Sequence, residues 1–312
     1  MTPQSPVVQK VDSAVRNSLG RGRVVLAISG GLDSMVLMES ASRTDADIMV
    51  ATFDHGTGVF AEMAARKVAA RAAALGFPCV IGRAAKTPAR ESDWRTARLA
   101  FLKDVSRREG RVIASAHNRD DQVETVFMRI LRAAGPRGLS GLFADSDILR
   151  PLLDLSRSEL GEYVKIETLE YIEDPTNADR AHMRNRVRHD LLPAMRKVRP
   201  EIDSDLLAIA RKSTNWRKEM DELVEEFGTE RPEKGELRVE RDRLRTYDSS
   251  SLRVIWPALA ARASVVMDRR GTHRAAEFTI NGMTGGSIQL SGGIEILMRR
   301  DHLLLRRWQP QK

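Results

Sequence analysis

Ser29-Gly30-Gly31-Leu32-Asp33-Ser34 is the stretch that decides the fold of this chain. The apolar, β-branched residues 23–28 before it predict a buried strand, and the pattern over 34–41 predicts the helix that follows. Two adjacent glycines let the backbone turn sharply and approach an anion with no side chain in the way. Because the free N–H groups at the start of the helix point to the same place, the sequence predicts a phosphate-binding loop.

Strand and helix patterns alternate on both sides of this loop. Further strands are predicted at 48–53, 79–81 and 112–115, and helices at 61–75, 94–109 and 120–132. Such alternation predicts an α/β fold with a parallel sheet covered on both faces, whose ligands bind at the carboxyl ends of the strands.

The last third of the chain has a different pattern. It begins with an amphipathic helix at 206–227 and linker composition at 228–235, which includes Gly228 and Gly235. Helices at 251–263 and 274–282 and strands at 287–290, 294–299 and 302–306 follow, with a turn at Ser291-Gly292-Gly293. We therefore expect a Rossmann-like catalytic domain over residues 1–205 and a smaller α+β domain over 206–312 that contacts the substrate.

The composition favours an anionic partner. The 312 residues carry a formal net charge of +8, which suits nucleic acid, although a generic basic surface explains the charge as well. Cys79 is the single cysteine, so the chain alone forms neither a disulfide nor a cysteine-held cluster. The first residues lack a signal-peptide pattern and no apolar run is long enough to span a bilayer, so we expect a cytoplasmic protein without a membrane partner.

The loop differs from two common phosphate-binding motifs. It lacks the lysine of a Walker A loop, and Gly20-Arg21-Gly22 precedes the strand, unlike a dinucleotide fingerprint. Ser29 and Ser34 add hydroxyl donors. Asp33 would repel a phosphate directly, so it is interpreted as an indirect contact through Mg²⁺ or as a backbone cap.

The six loop residues resemble the PP-loop of the ATP pyrophosphatase superfamily. The resemblance implies a PP-loop fold that cleaves ATP between the α- and β-phosphates, with residues 29–34 holding the triphosphate. Phe53 and His55 close the second predicted strand, next to the loop, and are assigned to ATP binding. A histidine after a strand is, taken alone, more often structural.

A second polar cluster follows the fourth predicted strand. It comprises His117, Asp120, Asp121, Gln122 and Glu124. Helix capping explains one aspartate but not the whole group. Such a cluster can bind Mg²⁺, transfer a proton or hydrogen-bond a base.

These motifs together resemble the tRNA(Ile)-lysidine synthetase family. The matching stretches are H-x-x-D-D-Q-x-E-T from His117, residues 132–142, Arg150-Pro151-Leu152-Leu153, residues 172–177 and residues 184–189. The resemblance implies that ATP adenylates the wobble cytidine of an isoleucine tRNA with a CAU anticodon and that free L-lysine then displaces AMP, giving lysidine. The catalytic residues it implies are Asp33, Arg98, His117, Asp120, Asp121 and Glu124. For Arg98 and its neighbour Arg95, a solvated helix face is the alternative.

A basic run over 180–199 is interpreted as a tRNA contact. The expected contacts are Arg184, Asn185, Arg186, Arg188, Arg196 and Lys197. A solvated face is the alternative, and Asn185 and Arg186 could instead organise the loop after Asp174. Three other functions stay open: a tRNA thiolase, a small-molecule ligase, and a non-catalytic module that binds nucleic acid. The sequence leaves a monomer and a homodimer equally open.

Overall fold

The chain folds into two compact units in a computed structural model that describes residues 5–56, 58–84, 91–173, 179–227, 236–263, 265–291 and 293–308. Unit 1 comprises Met1–Thr125 and Ala144–Asp203, and unit 2 comprises Val126–Phe143 and Ser204–Lys312. Three sequence predictions lie outside the described residues: the linker at 228–235, Gly292 of the predicted turn, and residues 174–177 of one family motif.

Unit 1 contains a five-stranded parallel sheet in the order β3-β2-β1-β4-β5. The strands are β1 (Arg23–Ala27), β2 (Asp47–Asp54), β3 (Cys79–Arg83), β4 (Val112–Ser115) and β5 (Ile148–Leu149). The four strands expected from the sequence are found, and β5 is a short addition. Val24 and Leu26 face one hydrophobic cluster while Val25 faces another, as the alternation of side chains along a strand requires.

Helices cover both faces of this sheet. The helices that begin in unit 1 are α1 (Pro6–Leu19), α2 (Leu32–Ala41), α3 (Val59–Ala74), α4 (Glu91–Glu109), α5 (Arg119–Leu131), α7 (Arg157–Glu167), α8 (Met183–Arg186) and α9 (Leu192–Val198). Residues of α1, α2, α3 and α7 form one core with β1 and β2. Leu102 and Val105 of α4 pack against the other face. A π-helical turn, Val187–Leu191, joins α8 to α9.

The strand order places the loops after β1 and β4 side by side. From β1 the chain proceeds to β2 on one side, while β4 pairs with β1 on the other. At such a switch point the two loops diverge and leave a crevice at the carboxyl edge of the sheet. Residues 29–34 and 116–118 therefore border one crevice.

Unit 2 combines helices with an antiparallel sheet in the order β6-β9-β8-β7. Its elements are α6 (Pro136–Leu139), α10 (Ile202–Glu225, from Ser204), β6 (Leu237–Glu240), α11 (Arg241–Arg245), α12 (Ser249–Arg262), α13 (Arg269–Asn281), β7 (Ser287–Leu290), β8 (Ile294–Met298) and β9 (His302–Arg307). Trp256 is fully buried in its core. The expected α/β fold followed by α+β structure is confirmed. Among the helices that the structure describes, none is both long and apolar enough to cross a bilayer.

Candidate functional site

The loop between β1 and α2 is held in shape by one of its own hydroxyl groups. Ser34 Oγ accepts hydrogen bonds from the backbone N–H of Ser29 at 3.3 Å and of Gly30 at 3.1 Å. The same hydroxyl donates to Gly31 O at 2.8 Å. The sequence interpretation made Ser34 a donor to a phosphate, but its hydrogen atom is used within the loop. Leu32 is partly buried and packs against the core.

Gly30 adopts a conformation that other residues rarely take. Its φ is +88°, and a Cβ there would lie 3.4 Å from Val68 Cγ2 and 3.6 Å from Ile172 Cδ1. The N–H of Ile172 donates to Gly30 O at 2.9 Å. The nearest atom to a Cβ on Gly31 would be Ser29 Oγ at 3.6 Å. A side chain at Gly31 would therefore meet only ordinary van der Waals contacts within the chain.

Asp33 lies in the first turn of α2 and carries a perturbed carboxyl group. Its pKa is raised to about 6, chiefly by burial and also by nearby Asp121, while Arg157, Arg188 and the side chain of Asn118 oppose the shift. Its Oδ1 is buried without a hydrogen-bond partner among the described residues. A partly desolvated carboxylate with a spare oxygen can receive a cation.

His117 follows β4 and is neutral at physiological pH. Burial of the ring lowers its pKa to about 4, against the opposing effect of Asp121. Cations from three parts of the chain contribute to this lowering, namely Arg184, Arg150 and Arg98. Ser115 Oγ lies 2.9 Å from Nδ1. The imidazole can therefore donate or accept a hydrogen bond but carries no charge.

Arg98 on α4 lies near two other cations, Arg95 and Arg184. The residue as a whole is exposed, yet desolvation of the guanidinium group lowers its pKa, and Arg95 and Arg184 lower it further. Repulsion of this kind is relieved when an anion binds between the cations.

The two aspartates at the start of α5 both bind backbone. Asn118 and Asp121 form a reciprocal cap, in which Asp121 N–H donates to Asn118 Oδ1 at 3.0 Å and Asn118 N–H donates to Asp121 Oδ2 at 3.1 Å. Asp120 Oδ2 accepts from Arg157 N–H, the first residue of α7, at 2.8 Å. Asp120 therefore ties α7 to α5.

Glu124 is nearly fully buried, with 3% exposure, and it is bound by two arginines. Arg188 Nε lies 2.5 Å from Glu124 Oε1, and its Nη2 lies 3.0 Å from Oε2. Arg184 Nε lies 3.0 Å from Glu124 Oε2. Arg188 also donates to Asp121 Oδ1 at 3.2 Å. Arg188 lies on the π-helical turn, a local widening that is common at functional sites.

The other residues of the basic run are placed differently. Arg196 forms an ion pair with Asp203 at 3.0 Å, and Asn185 Nδ2 donates to Asp179 O at 2.8 Å. Arg186 and Lys197 are exposed. Six residues were expected to contact RNA. Two of them, Arg186 and Lys197, are exposed, while Arg196 and Asn185 bind nearby residues of the same segment. Arg184 and Arg188 pair with carboxylates.

An aromatic group lies at the carboxyl end of β2. The Phe53 ring is 5.2 Å from that of His55 and 5.4 Å from that of Phe101, and His55 is 6.0 Å from Trp94. Flat apolar surface of this kind suits a nucleobase. Asp54 beside it is buried, and its Oδ2 lies 3.3 Å from Arg83 Nε.

Four residues near the site were not singled out from the sequence: Ser115, Asn118, Arg157 and Ile172. Asn118 lies inside a quoted motif, where the N-x-x-D spacing signals a helix cap. Ser115 and Ile172 act through contacts that no local pattern announces. Arg157 starts a helix whose Ser156 and Glu159 form a capping box, a spacing visible in the sequence.

Comparison with known proteins identifies relatives of this chain. A family model described as a PP-loop domain matches residues 3–195. The tRNA(Ile)-lysidine synthase of Geobacter sulfurreducens is 36% identical over 219 residues, 65% of this chain and 46% of that protein. The tRNA(Ile)-lysidine synthase of Methylobacterium nodulans is 37% identical over 202 residues, 61% of this chain and 57% of that protein. The chain thus spans about half the length of these relatives.

A solved structure shares the fold. The U34-tRNA thiolase of Methanococcus maripaludis, determined with its 4Fe-4S cluster, is 17% identical and superposes with a TM-score of 0.55 over 67% of this chain and 78% of that one. The matched residues 3–195 are well over half of the 312 residues, and they contain both the loop and the charged cluster. The chain therefore belongs to the family of ATP-binding PP-loop domains.

Proposed function

We propose that this chain is an ATP-dependent ligase that forms lysidine at the wobble cytidine of an isoleucine tRNA with a CAU anticodon. One observation carries the proposal. Asp33 of the PP-loop belongs to the same charged group as Asp121 and Arg188, so the loop and the family's carboxylates share one site. The similarity to proteins named tRNA(Ile)-lysidine synthase supports the choice of substrate.

In the first step the cytosine carbonyl oxygen attacks the α-phosphorus of ATP, and pyrophosphate leaves. The backbone of residues 29–34 and the start of α2 bind the phosphates. Arg98 and Arg95 offset the charge that develops on the α-phosphate. Phe53 and His55 bind the adenine ring through the aromatic group that they form with Trp94.

In the second step the lysine amine attacks the activated ring carbon, AMP leaves, and the proton that the amine loses passes to a carboxylate of the site. Asp121 and Glu124 can orient this amine through hydrogen bonds, and Arg184 and Arg188 hold the two carboxylates in place. Neutral His117 hydrogen-bonds the cytosine.

Mg²⁺ fits this site as a partner of the phosphates. Among the described residues, no group of three or more His, Cys, Asp or Glu forms a metal cage. Mg²⁺ needs none, since it is often held by one or two carboxylates together with substrate phosphates. Asp33, through its unpartnered Oδ1, is the residue that would hold it. When bound, the ion neutralises phosphate charge.

RNA contact is assigned to the exposed cations Arg186 and Lys197 and to unit 2.

A thiolase is disfavoured because Cys79, the single cysteine, begins β3 and burial raises the pKa of its thiol. Sulfur transfer instead requires an accessible thiolate.

The test is incorporation of radiolabelled lysine into unmodified tRNA(Ile) with a CAU anticodon, in the presence of ATP and Mg²⁺. A tRNA whose wobble cytidine is replaced by uridine is the control, and Asp33→Asn is the inactive variant. Label that requires both ATP and the cytidine supports the proposal. If tRNA stimulates ATP cleavage but no lysine is incorporated, the chain is a different tRNA-modifying enzyme.

A further inference from the structure

The side chain of Asn118 is both buried and fixed in orientation. Only 1% of the residue is exposed. Its Oδ1 accepts from the N–H of Asp121 at 3.0 Å. Because that oxygen must face an N–H donor, the amide cannot be flipped, and its NH₂ group occupies the other end of the side chain.

This NH₂ group has no partner, and neither does its neighbour. Asn118 Nδ2 and Asp33 Oδ1 are both buried without a hydrogen bond to any described residue. Asn118 is close enough to Asp33 to lower the pKa of that carboxyl. Asn118 Nδ2 and Asp33 Oδ1 nevertheless do not meet the geometry of a hydrogen bond. Buried polar groups are seldom left unpaired, so the two atoms mark an incomplete polar site.

We propose that the side-chain amide of Asn118 donates a hydrogen bond to an oxygen of the polyphosphate in the PP-loop, next to the cation that Asp33 receives. The proposal rests on the proposed ATP-dependent function. An NH₂ group needs an acceptor and Asp33 Oδ1 needs a donor or a cation, and a phosphate oxygen with its cation supplies both. A single buried water could satisfy the same two atoms and is the competing explanation.

Asn118 would act as a positioning residue for both halves of the site. Its Oδ1 fixes the start of α5, which carries Asp121 and Glu124. Its Nδ2 would fix the phosphates. The distance between the nucleotide and the carboxylates then depends on one rigid side chain.

Two substitutions separate the helix cap from the phosphate contact. Asn118→Ser and Asn118→Asp both keep an oxygen that can cap α5, because Ser, Asp and Asn are comparable caps, and both remove the NH₂ donor. Asp248→Ser is the matched control, since Asp248 caps α12 of unit 2 through Ser251 N–H at 2.7 Å.

The measurement is calorimetric titration of the full chain with ATP and Mg²⁺ in the absence of tRNA, together with urea unfolding without nucleotide. We expect Asn118→Ser to weaken ATP binding about tenfold or more, Asn118→Asp to weaken it further by repulsion, and Asp248→Ser to leave it unchanged.

Two results would overturn the inference. Wild-type affinity for ATP in Asn118→Ser, whether or not the urea midpoint changes, would make Asn118 a cap or a water ligand only. Wild-type protein that binds neither ATP nor inorganic pyrophosphate would overturn both this inference and the proposed function. Protein that binds ATP with the expected Asn118 effects but incorporates no lysine would support the inference and remove only the proposed reaction.

Discussion

Replacing Arg188 by glutamine should lower the free energy of unfolding and leave the salt dependence of RNA binding largely unchanged. Glu124 is 3% exposed and takes two of its close contacts from Arg188, at 2.5 and 3.0 Å. Removing one partner of a buried ion pair costs about 3–5 kcal/mol. Arg184 still binds Glu124 and the Arg188 side chain is 22% exposed, so we expect a loss of about 2–3 kcal/mol.

The assay is urea unfolding followed by fluorescence, with Arg186→Gln as the matched variant. Arg186 is exposed and should change the free energy of unfolding by less than about 0.5 kcal/mol. It should reduce the salt dependence of tRNA binding by about one phosphate contact. The double variant Glu124→Gln with Arg188→Gln should lose less stability than the two single losses added together, because no charge is left unpaired.

An unchanged urea midpoint for Arg188→Gln would refute the reasoning. So would additive losses in the double variant, since they would show that the two side chains do not interact. If Arg188→Gln instead lowered only the salt slope of tRNA binding, Arg188 would contact RNA directly, as the sequence alone suggested.

Four further predictions concern the titration of Asp33 and His117, the strain at Gly30 and the role of Asp120. The pKa of Asp33 in the folded state is about 6, above the ordinary aspartate value of 3.8. Its stabilising contribution is therefore present at low pH and is lost between about pH 4 and pH 6. Asp33→Asn should raise the urea midpoint of the nucleotide-free protein at about pH 7.5 and remove that loss. The pKa of His117 is lowered from 6.5 to about 4, so its effect on stability has the opposite sign. The stability that the neutral ring contributes is present above about pH 6.5 and is lost as the pH falls to about 4. In urea unfolding, His117→Gln should abolish this loss. Gly30→Ala, at a φ of +88°, should cost about 1–2 kcal/mol in urea unfolding, and an unaffected midpoint would contradict the assigned strain. Asp120→Asn keeps an oxygen acceptor for Arg157 N–H and should retain lysine incorporation. Asp120→Ala removes that acceptor and should lower the urea midpoint. An inactive Asp120→Asn would make Asp120 a catalytic residue.

The central strands and the loop could be predicted from local pattern, because each is encoded by contiguous residues. The strands at 112–115 and 287–290 agree with β4 and β7 at both ends. Helix α1 was not predicted, although Val8, Val11, Val15 and Leu19 have helical spacing and are buried. Its contribution is packing, which no chemical motif signals. The boundary between residues 205 and 206 remains a prediction.

The partners of charged residues could not be predicted in this way. Arg188 and Glu124 are 64 positions apart, and only the folded chain brings the π-helical turn beside α5. A run of arginines has the same appearance in sequence whether its members face solvent, as Arg186 does, or neutralise a buried acid. The roles of the site residues remain predictions that the variants above can test.

The placement of β1 between β2 and β4 has a consequence for how such a site can diversify. One flank of the crevice is formed by the loop after β1 and the aromatic group after β2. In the proposed reaction, this flank would bind ATP and could stay unchanged. The other flank, with the segment after β4, would hold the acceptor that attacks the α-phosphorus. Substitutions on the β4 side would then exchange one acceptor for another and leave the cleavage of the phosphoanhydride by displacement of pyrophosphate intact.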